Sequence, residues 1–352
     1  MVSAPGAGPQ RLNGLIECSG VQPFCFAPDV WWIFRPQGHE ATVTWGIVGA
    51  LDKAEVQMLC SAGPAARAVG AGPILEDAFM AHPSPARLES LRGFIVDLDG
   101  VLWRGGEALP GAAEFIRLLE ARSLPYVVAT NDPTAKPEEL AGWLRELGMP
   151  VPPERVLTAG MVVIEALQRK RPRGARVLVI GTDSLKHLVQ EAGFRLAEEA
   201  AEAVIVTLPE EVRMSELTNA IRALSQGADF LAPNREMVYP SDDGLGAGDG
   251  MLVAALEAAS GRRARVLGKP RRAFFRAALR MVGLPAAEVL VVGDNLKSDI
   301  QAGRRAGCLT ALVLTGMTDR EQLAASAEKP DWVFEDLGGL ARALESERGG
   351  TT

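Results

Sequence analysis

From Leu91 onward, short apolar runs alternate with longer stretches in which apolar residues recur at helical spacing. Residues 94–96 and 126–129 have the length and apolar character of buried β-strands. Residues 112–122 and 137–147 repeat apolar residues on one face, as amphipathic helices do. Strands that alternate with helices predict βαβ units, and therefore a parallel sheet covered by helices.

The middle of the chain carries a second set of alternating elements. Strands are predicted at residues 176–181, 203–206 and 230–232, and the helices between them end at Glu191 or span residues 214–226. Because this set interrupts the first, it predicts an inserted α/β domain.

A glycine-rich stretch follows this second set of elements. Gly244, Gly246, Gly248 and Gly250 stand at alternate positions, ahead of a helix predicted over residues 251–260. In one interpretation the chain crosses back here and its backbone amides approach a ligand; in the other the stretch is a flexible connector. The residues themselves leave both open.

Together these patterns predict an α/β fold in which a doubly wound, Rossmann-like parallel-sheet core is interrupted by an inserted α/β domain. The predicted core segments are residues 91–160 and 263–345, the insertion is residues 161–262, and residues 346–352 form a tail.

Residues 1–90 differ from the rest of the chain in having few charged residues and an aromatic cluster at Trp31–Phe34. Three interpretations stay open: a small extra module, a loosely ordered leader, or a biological start at Met80. The last two are favoured, since Met80 stands shortly before the first predicted core strand.

Composition narrows the class of protein. The chain has 352 residues, of which 47% are apolar and 23% charged, as expected for a soluble globular protein of about two domains. Its net charge of −7 argues against a nucleic-acid partner. No apolar run approaches the ~18 residues of a membrane span, and the start does not resemble a secretory signal, so we expect a cytoplasmic protein. The four cysteines show no Cys-x-x-Cys pattern, and the three histidines are too scattered for zinc.

Two carboxylates close the first predicted core strand. The run at residues 94–96 is followed by Asp97, Leu98, Asp99 and Gly100. Ligands of open α/β folds bind at the carboxyl ends of the strands, where one carboxylate can attack and the other can handle protons. The alternative is an ordinary acidic turn after a strand.

Three further motifs end predicted strands. Thr130 and Asn131 follow one strand, and Lys269 stands between a glycine and a proline after residues 264–267. Asp294 ends the strand at residues 290–293. Asn295 is the next residue, and a further carboxylate, Asp299, stands five positions after Asp294. Taken alone, the Thr-Asn motif is also compatible with a helix cap or a turn, and Lys269 is also compatible with a solvated surface lysine.

The carboxylate pair, Thr-Asn, Lys and Gly-Asp-x4-Asp motifs, taken in this order, resemble the motif set of the haloacid dehalogenase superfamily of phosphoryl-transfer enzymes. The resemblance runs from about residue 91 to about residue 340. The insertion lies between the Thr-Asn motif and Lys269, which resembles the subclass with a C2-type cap, such as p-nitrophenyl phosphatases, phosphoglycolate phosphatase and pyridoxal-phosphate phosphatase. Mutases of the superfamily are instead typical of a pattern in which the insertion lies earlier in the chain.

The resemblance implies a role for each motif residue. Asp97 would attack phosphorus and form an aspartyl-phosphate, while Asp99 would act as general acid and then general base. Thr130, Asn131 and Lys269 would hold the phosphoryl oxygens. The implied cofactor is Mg²⁺. Its expected ligands are the Asp97 side chain, the Asp99 carbonyl oxygen and the Asp294 side chain, and its expected supporting residues are Asp299 and Asn295.

Some positions depart from the subclass. Asp132 stands where a second asparagine is usual, and its charge would weaken phosphate binding unless it points away. The cap reads Ala232-Pro233-Asn234 where a Thr-Asn element is expected, and residues 208–212 lack an expected Asp-Arg pair. These changes bear on the substrate and on catalytic vigour.

The predicted function is therefore a Mg²⁺-dependent phosphoric monoester hydrolase that acts on small phosphorylated metabolites. The alternative is a phosphate-ligand binding or regulatory protein of the same fold with weak turnover, and a third interpretation is phosphotransfer between metabolites. The retained Asp99 favours a hydrolase over a dehalogenase. No membrane partner is expected, and dimerisation through the cap is compatible with the resemblance. The sequence does not identify the physiological substrate.

Overall fold

The computed structural model describes residues 22–27, 30–34, 47–48, 88, 91–241 and 244–346, with no account of the side chains in the first three ranges or over 239–245. The chain divides into two units, residues 1–82 and residues 83–352.

The first unit contains a three-stranded antiparallel sheet, which includes the aromatic cluster. Its strands, in the order β1-β2-β3, are β1 (Gln22–Ala27), β2 (Val30–Phe34) and β3 (Ile47–Val48). The three interpretations of residues 1–90 concern residues that lie mostly outside the described ranges.

The second unit contains fifteen described strands and ten α-helices. The strands are β4 (Gly93–Val96), β5 (Trp103–Arg104), β6 (Glu107–Ala108), β7 (Tyr126–Thr130), β8 (Val156–Thr158), β9 (Arg176–Ile180), β10 (Arg195–Leu196), β11 (Ala203–Val206), β12 (Asp229–Ala232), β13 (Val238–Ser241), β14 (Gly244–Ala247), β15 (Arg265–Val266), β16 (Val289–Gly293), β17 (Leu309–Val313) and β18 (Trp332–Phe334). The helices are α1 (Ala112–Ala121), α2 (Pro137–Glu146), α3 (Ala159–Gln168), α4 (Asp183–Glu191), α5 (Met214–Ser225), α6 (Asp249–Ser260), α7 (Arg272–Val282), α8 (Ala302–Arg305), α9 (Arg320–Ala325) and α10 (Leu337–Ser346).

The core sheet is fully parallel and has the strand order β18-β17-β16-β4-β7-β8. Its central strand, β4, alternates between two apolar layers. Phe94 and Val96 pack in a cluster with α1, α2 and α10, whereas Ile95 packs in a cluster with α3 and α7. A parallel strand buried on both faces reads as a continuous apolar run, which explains the pattern at residues 94–96. The predicted doubly wound core is confirmed.

A second parallel sheet, the cap sheet, has the order β10-β9-β11-β12-β15. One face packs against α5 and α6, while the other shares the apolar cluster that contains α3 and α7. The predicted inserted α/β domain is therefore also confirmed.

The structure adds detail at two places in the predicted organisation. The stretch of alternating glycines is a β-hairpin in which β13 pairs with β14, followed at once by α6, because glycine tolerates strand geometry as well as loops. The second core segment was predicted to begin at residue 263. However, Arg265 and Val266 pair with β12, so the chain leaves the cap sheet only after Val266.

Among the helices of the described ranges, none is both long and apolar enough to cross a bilayer.

Candidate active site

The core sheet gathers the predicted site residues at one edge. Asp97 follows β4, Thr130 ends β7, and Asp294 follows β16. These three strands are neighbours and run parallel, so their carboxyl ends meet on the same side of the sheet.

Lys269 connects two buried carboxylates at this edge. Its Nζ lies 2.7 Å from Asp97 Oδ1 and 2.8 Å from Asp299 Oδ1. All three side chains are buried. Burial acts to lower the pKa of Lys269, but the charges of Asp299 and Asp97 outweigh it and raise that pKa above its usual range. Lys269 is therefore a fixed cation and not a solvated surface lysine.

Asp97 stands in an unfavourable environment for a carboxylate. Burial, followed by the charge of Asp299, raises its pKa well above the usual value, and Lys269 opposes this shift. Its Oδ1 atom also accepts a hydrogen bond from the backbone N–H of Leu98, at 2.7 Å. The orientation of the carboxylate is thus fixed by two donors.

Two glycines make room for the Asp294 carboxylate. An added Cβ would lie 2.4 Å from Asp294 Oδ2 at Gly100 and 1.8 Å at Gly316, so neither position accepts a side chain without movement. Gly100 also has a φ of 78°, which favours glycine. The backbone N–H of Met317 donates to the same oxygen at 2.6 Å. Burial, and then the charge of Asp299, raises the pKa of Asp294 to about 6.

The carboxylates could together hold a metal ion. Asp97, Asp294 and Asp299 each offer an oxygen, and these oxygens lie within 4.8 Å of one another. Lys269 supplies one positive charge against three carboxylates, which leaves an excess of negative charge in a buried site. A set of carboxylate oxygens with uncompensated charge suits a hard divalent cation such as Mg²⁺.

Asp299 differs from the other two carboxylates because both of its oxygens are engaged by protein donors. Oδ1 meets Lys269, while Oδ2 accepts from the Asn295 N–H at 3.3 Å and from the Ser298 hydroxyl at 3.1 Å. Asn295 in turn caps the following helical turn, since its side chain accepts from the N–H groups of Lys297 and Ser298.

Asp99 is exposed and is held by two side chains. Its Oδ1 accepts from Trp103 Nε1 at 2.9 Å, and its Oδ2 accepts from the Thr130 hydroxyl at 3.2 Å. The Trp103 indole stacks on Trp143, with the rings 5.9 Å apart. Sequence reasoning missed Trp103; the signal was its position four residues after Asp99.

Asn131 bonds to the backbone of Lys269 through both polar atoms of its amide. Oδ1 accepts from the Lys269 N–H at 2.7 Å, and Nδ2 donates to the Lys269 carbonyl at 3.1 Å. The amide was predicted to hold phosphoryl oxygens. The structure shows the amide bonded to the lysine backbone, and its contact with phosphoryl oxygens stays a prediction.

Asp132 directs its carboxylate into its own loop. Oδ1 accepts from the Thr134 N–H at 2.7 Å and from the Thr134 hydroxyl at 2.5 Å, while the Asp132 N–H donates to the Thr130 hydroxyl. Burial is the main cause that raises the pKa of Asp132, and the charge of Asp99 adds to it. The Asp132 carboxylate therefore bonds within its own loop, yet its pKa is affected by the charge of Asp99 in the candidate site.

Two protein-family models match this chain, and they cover the segments that carry the site residues. A family model described as haloacid dehalogenase-like hydrolase matches residues 94–195, and a model described as HAD-hydrolase-like matches residues 266–340. The chain is 32% identical over 250 residues to the 5'-nucleotidase YutF of Bacillus subtilis. The aligned region covers 71% of this chain and 97% of that protein.

Two solved structures extend the comparison. The 4-nitrophenylphosphatase of Thermotoga maritima superposes with a TM-score of 0.69 at 31% identity, covering 73% of this chain and 98% of its own. The glycerol phosphate phosphatase of Mycobacterium tuberculosis, solved in complex with magnesium, superposes with a TM-score of 0.65 at 31% identity, covering 72% and 76% of the two chains.

Proposed function

Since this chain belongs to the haloacid dehalogenase-like hydrolase family, we propose that it hydrolyses phosphate monoesters of small metabolites, with Mg²⁺ as cofactor and Asp97 as nucleophile. The relatives named above are a nucleotidase and two phosphatases, so the reaction class is phosphoric monoester hydrolysis. The observation that carries the assignment of the nucleophile is the buried Asp97–Lys269 pair beside a second carboxylate, Asp99, at the same strand end.

The proposed reaction has two steps. Because Asp97 Oδ1 is held by Lys269 and the Leu98 N–H, its Oδ2 attacks phosphorus, and the bond from phosphorus to the leaving oxygen breaks. Asp99 gives its proton to that oxygen. It then takes a proton from a water molecule that attacks the phosphoryl group, which restores Asp97 and releases phosphate.

The surrounding residues bind and orient the phosphoryl group. The Thr130 hydroxyl and the Lys269 ammonium would contact its oxygens, and Asn131 would keep Lys269 in place through its backbone. The side chains of Asp97 and Asp294, with the Asp99 carbonyl oxygen, would hold Mg²⁺, and Asp299 with Asn295 would support them. When bound, the cation supplies positive charge that offsets the repulsion between carboxylates and phosphate.

The decisive test is phosphate release from p-nitrophenyl phosphate by the purified full chain. We expect release with excess MgCl₂, loss of release with excess EDTA, and recovery when Mg²⁺ is restored, because the carboxylate cluster repels an anionic substrate without a cation. Turnover that is absent under all conditions, while phosphate still binds, would instead support the phosphate-binding alternative. Product that keeps its phosphate on an added acceptor would indicate phosphotransfer.

A second prediction concerns the pH dependence of metal binding. Burial holds the pKa of Asp294 at about 6 in the metal-free fold, above its value in the unfolded chain. In the metal-free protein the charged form is therefore destabilising above pH 6, and the loss is recovered as pH falls toward the unfolded pKa. Mg²⁺ must displace the proton, so the increase in melting temperature caused by MgCl₂ is expected to shrink as pH falls through about 6.

This prediction is checked by thermal unfolding with MgCl₂ and with NaCl of equal ionic strength, across the range from about pH 5 to about pH 8. The NaCl series separates general screening from binding at the carboxylates. An Mg²⁺-specific shift that is equal at both ends of the range would contradict the assignment of Asp294 as a ligand.

A further inference from the structure

The two oxygens of the Asp99 carboxylate have different donors. The Trp103 indole N–H donates to Oδ1 at 2.9 Å, and the Thr130 hydroxyl donates to Oδ2 at 3.2 Å. Within the described ranges of the chain, these two groups are the donors to this carboxylate. Because Asp99 is exposed, packing does not fix its side chain, and its orientation depends on these two contacts.

The Thr130 hydroxyl has one proton to donate. Its oxygen already accepts from the Asp132 N–H at 2.9 Å, so the proton of the hydroxyl is left for a single acceptor. In the proposed reaction this hydroxyl contacts a phosphoryl oxygen, and it cannot donate to that oxygen and to Asp99 Oδ2 at once. With substrate bound, Trp103 is therefore the described donor that still orients Asp99.

The backbone holds Trp103 close to Asp99. The Gly100 N–H donates to the Trp103 carbonyl at 2.8 Å, and the Trp103 N–H donates to the Leu98 carbonyl at 3.2 Å. Trp103 also pairs with Ala108 in the β5–β6 hairpin. The residues on either side of Asp99 are thus bonded to the backbone of Trp103, so the tryptophan and the carboxylate belong to one tight turn.

The ring of Trp103 is supported from α2. Its indole stacks on that of Trp143, with the ring centroids 5.9 Å apart and the ring planes 29° apart. A stacked neighbour covers a face of the indole and leaves its edge, where Nε1 lies, free to bond to Asp99. The indole is therefore held both by its backbone and by its face.

An indole N–H donates a hydrogen bond and cannot accept one. Asp99 Oδ1 therefore acts as the acceptor, and the proton of the neutral carboxyl is carried by Oδ2, the oxygen beside the Thr130 hydroxyl. In the first step this proton passes to the leaving oxygen while the bond from phosphorus to that oxygen breaks. The electron pair of the broken bond forms the new O–H bond of the alcohol.

On the basis of the phosphatase function proposed above, we propose that Trp103 is a positioning residue, which directs Oδ2 of Asp99 toward the leaving oxygen. A general acid works only within hydrogen-bond reach of the atom that it protonates. Esters of weakly acidic alcohols need this proton, whereas a phenol with a strongly electron-withdrawing group departs without it. Trp103 is thus what lets the site act on phosphate esters of aliphatic alcohols.

The test uses three monoesters whose leaving groups become weaker acids in the order p-nitrophenyl, phenyl and benzyl phosphate. For the full chain with MgCl₂, Trp103→Phe keeps an aromatic ring and removes the N–H. We expect it to lower kcat/KM by at least about tenfold for benzyl phosphate, by less than about threefold for p-nitrophenyl phosphate, and by an intermediate factor for phenyl phosphate. The quantity kcat/KM covers the steps up to departure of the alcohol, and not the later hydrolysis of the aspartyl-phosphate.

Two further variants frame this result. Trp332→Phe is the matched control, because Trp332 stands at the amino end of β18, an edge strand of the core sheet, while the site residues follow the carboxyl ends. It should leave the ratios between the three substrates unchanged. Asp99→Asn removes the acid itself, so it should give the same order of losses as Trp103→Phe, with a larger loss for benzyl phosphate.

The possible failures are distinguishable. An unaltered chain that hydrolyses none of the three esters overturns the proposed function and this inference with it. An active chain in which Trp103→Phe lowers kcat/KM equally for all three esters, or for none, overturns the positioning role alone. Partial unfolding of the variant lowers all three rates alike, so it cannot produce the expected order, and thermal unfolding measures it independently.

Discussion

Replacing Asp97 with Asn should reduce kcat by at least about a thousandfold, because the amide keeps the shape of the side chain but removes the attacking oxygen charge. The same change should not destabilise the metal-free fold. Burial and Asp299 already disfavour a charged Asp97, so a neutral amide relieves repulsion in the cluster, and Lys269 keeps its bond to Asp299.

The measurement combines steady-state kinetics, thermal unfolding, and acid quenching with radiolabelled substrate followed by peptide mass spectrometry. Label on the Asp97 peptide should appear in the unaltered chain and vanish in Asp97→Asn. Asp183→Asn is the matched control, since Asp183 is an exposed carboxylate on α4 whose partner is a surface lysine. Equal rates for the unaltered chain and Asp97→Asn would remove the nucleophile from the proposal.

Replacing Lys269 with Met should affect both activity and stability. The substitution leaves Asp97 and Asp299 buried without their shared cation, and breaking a buried pair in this way costs about 3–5 kcal/mol of unfolding free energy. Activity should fall by at least about a hundredfold, because the transferring phosphoryl group also loses a positive contact. Excess MgCl₂ should recover part of the stability, since it supplies charge to the same carboxylates.

The control for this prediction is Lys186→Met, which breaks the surface pair with Asp183 on α4. Exposed pairs contribute about 0–1 kcal/mol, so chemical denaturation should separate the two variants clearly. If Lys269→Met unfolds at the same denaturant concentration as Lys186→Met, the lysine does not balance the buried carboxylates.

The sequence predicted those features that depend on local pattern and on parallel topology. The apolar runs of β4, β7 and β16 are continuous because these strands are buried on both faces. Once the sheet is parallel, residues that follow its strands must lie along one edge. The convergence of Asp97, Thr130 and Asp294 therefore needed no knowledge of side-chain contacts.

The features that the sequence did not predict depend on neighbours far apart in the chain. An amide such as Asn131 can bond to phosphate or to backbone, and only the fold brings the Lys269 backbone to it. Val266 reads as the end of a core strand because pairing with β12 leaves no local trace.

The Asn131–Lys269 pairing has a consequence for motion between the two sheets. Val266 belongs to the cap sheet and Gly268 still bonds to Pro233 of the cap, whereas Lys269 is fastened to the core through the Asn131 amide, so the chain passes from cap to core between Gly268 and Lys269. A cap that moves about this point would leave Lys269, Asp97 and Asp299 assembled, because the lysine bonds to both carboxylates. The proposed phosphate site is then preorganised before substrate arrives, so its charges need not be assembled at the moment of reaction.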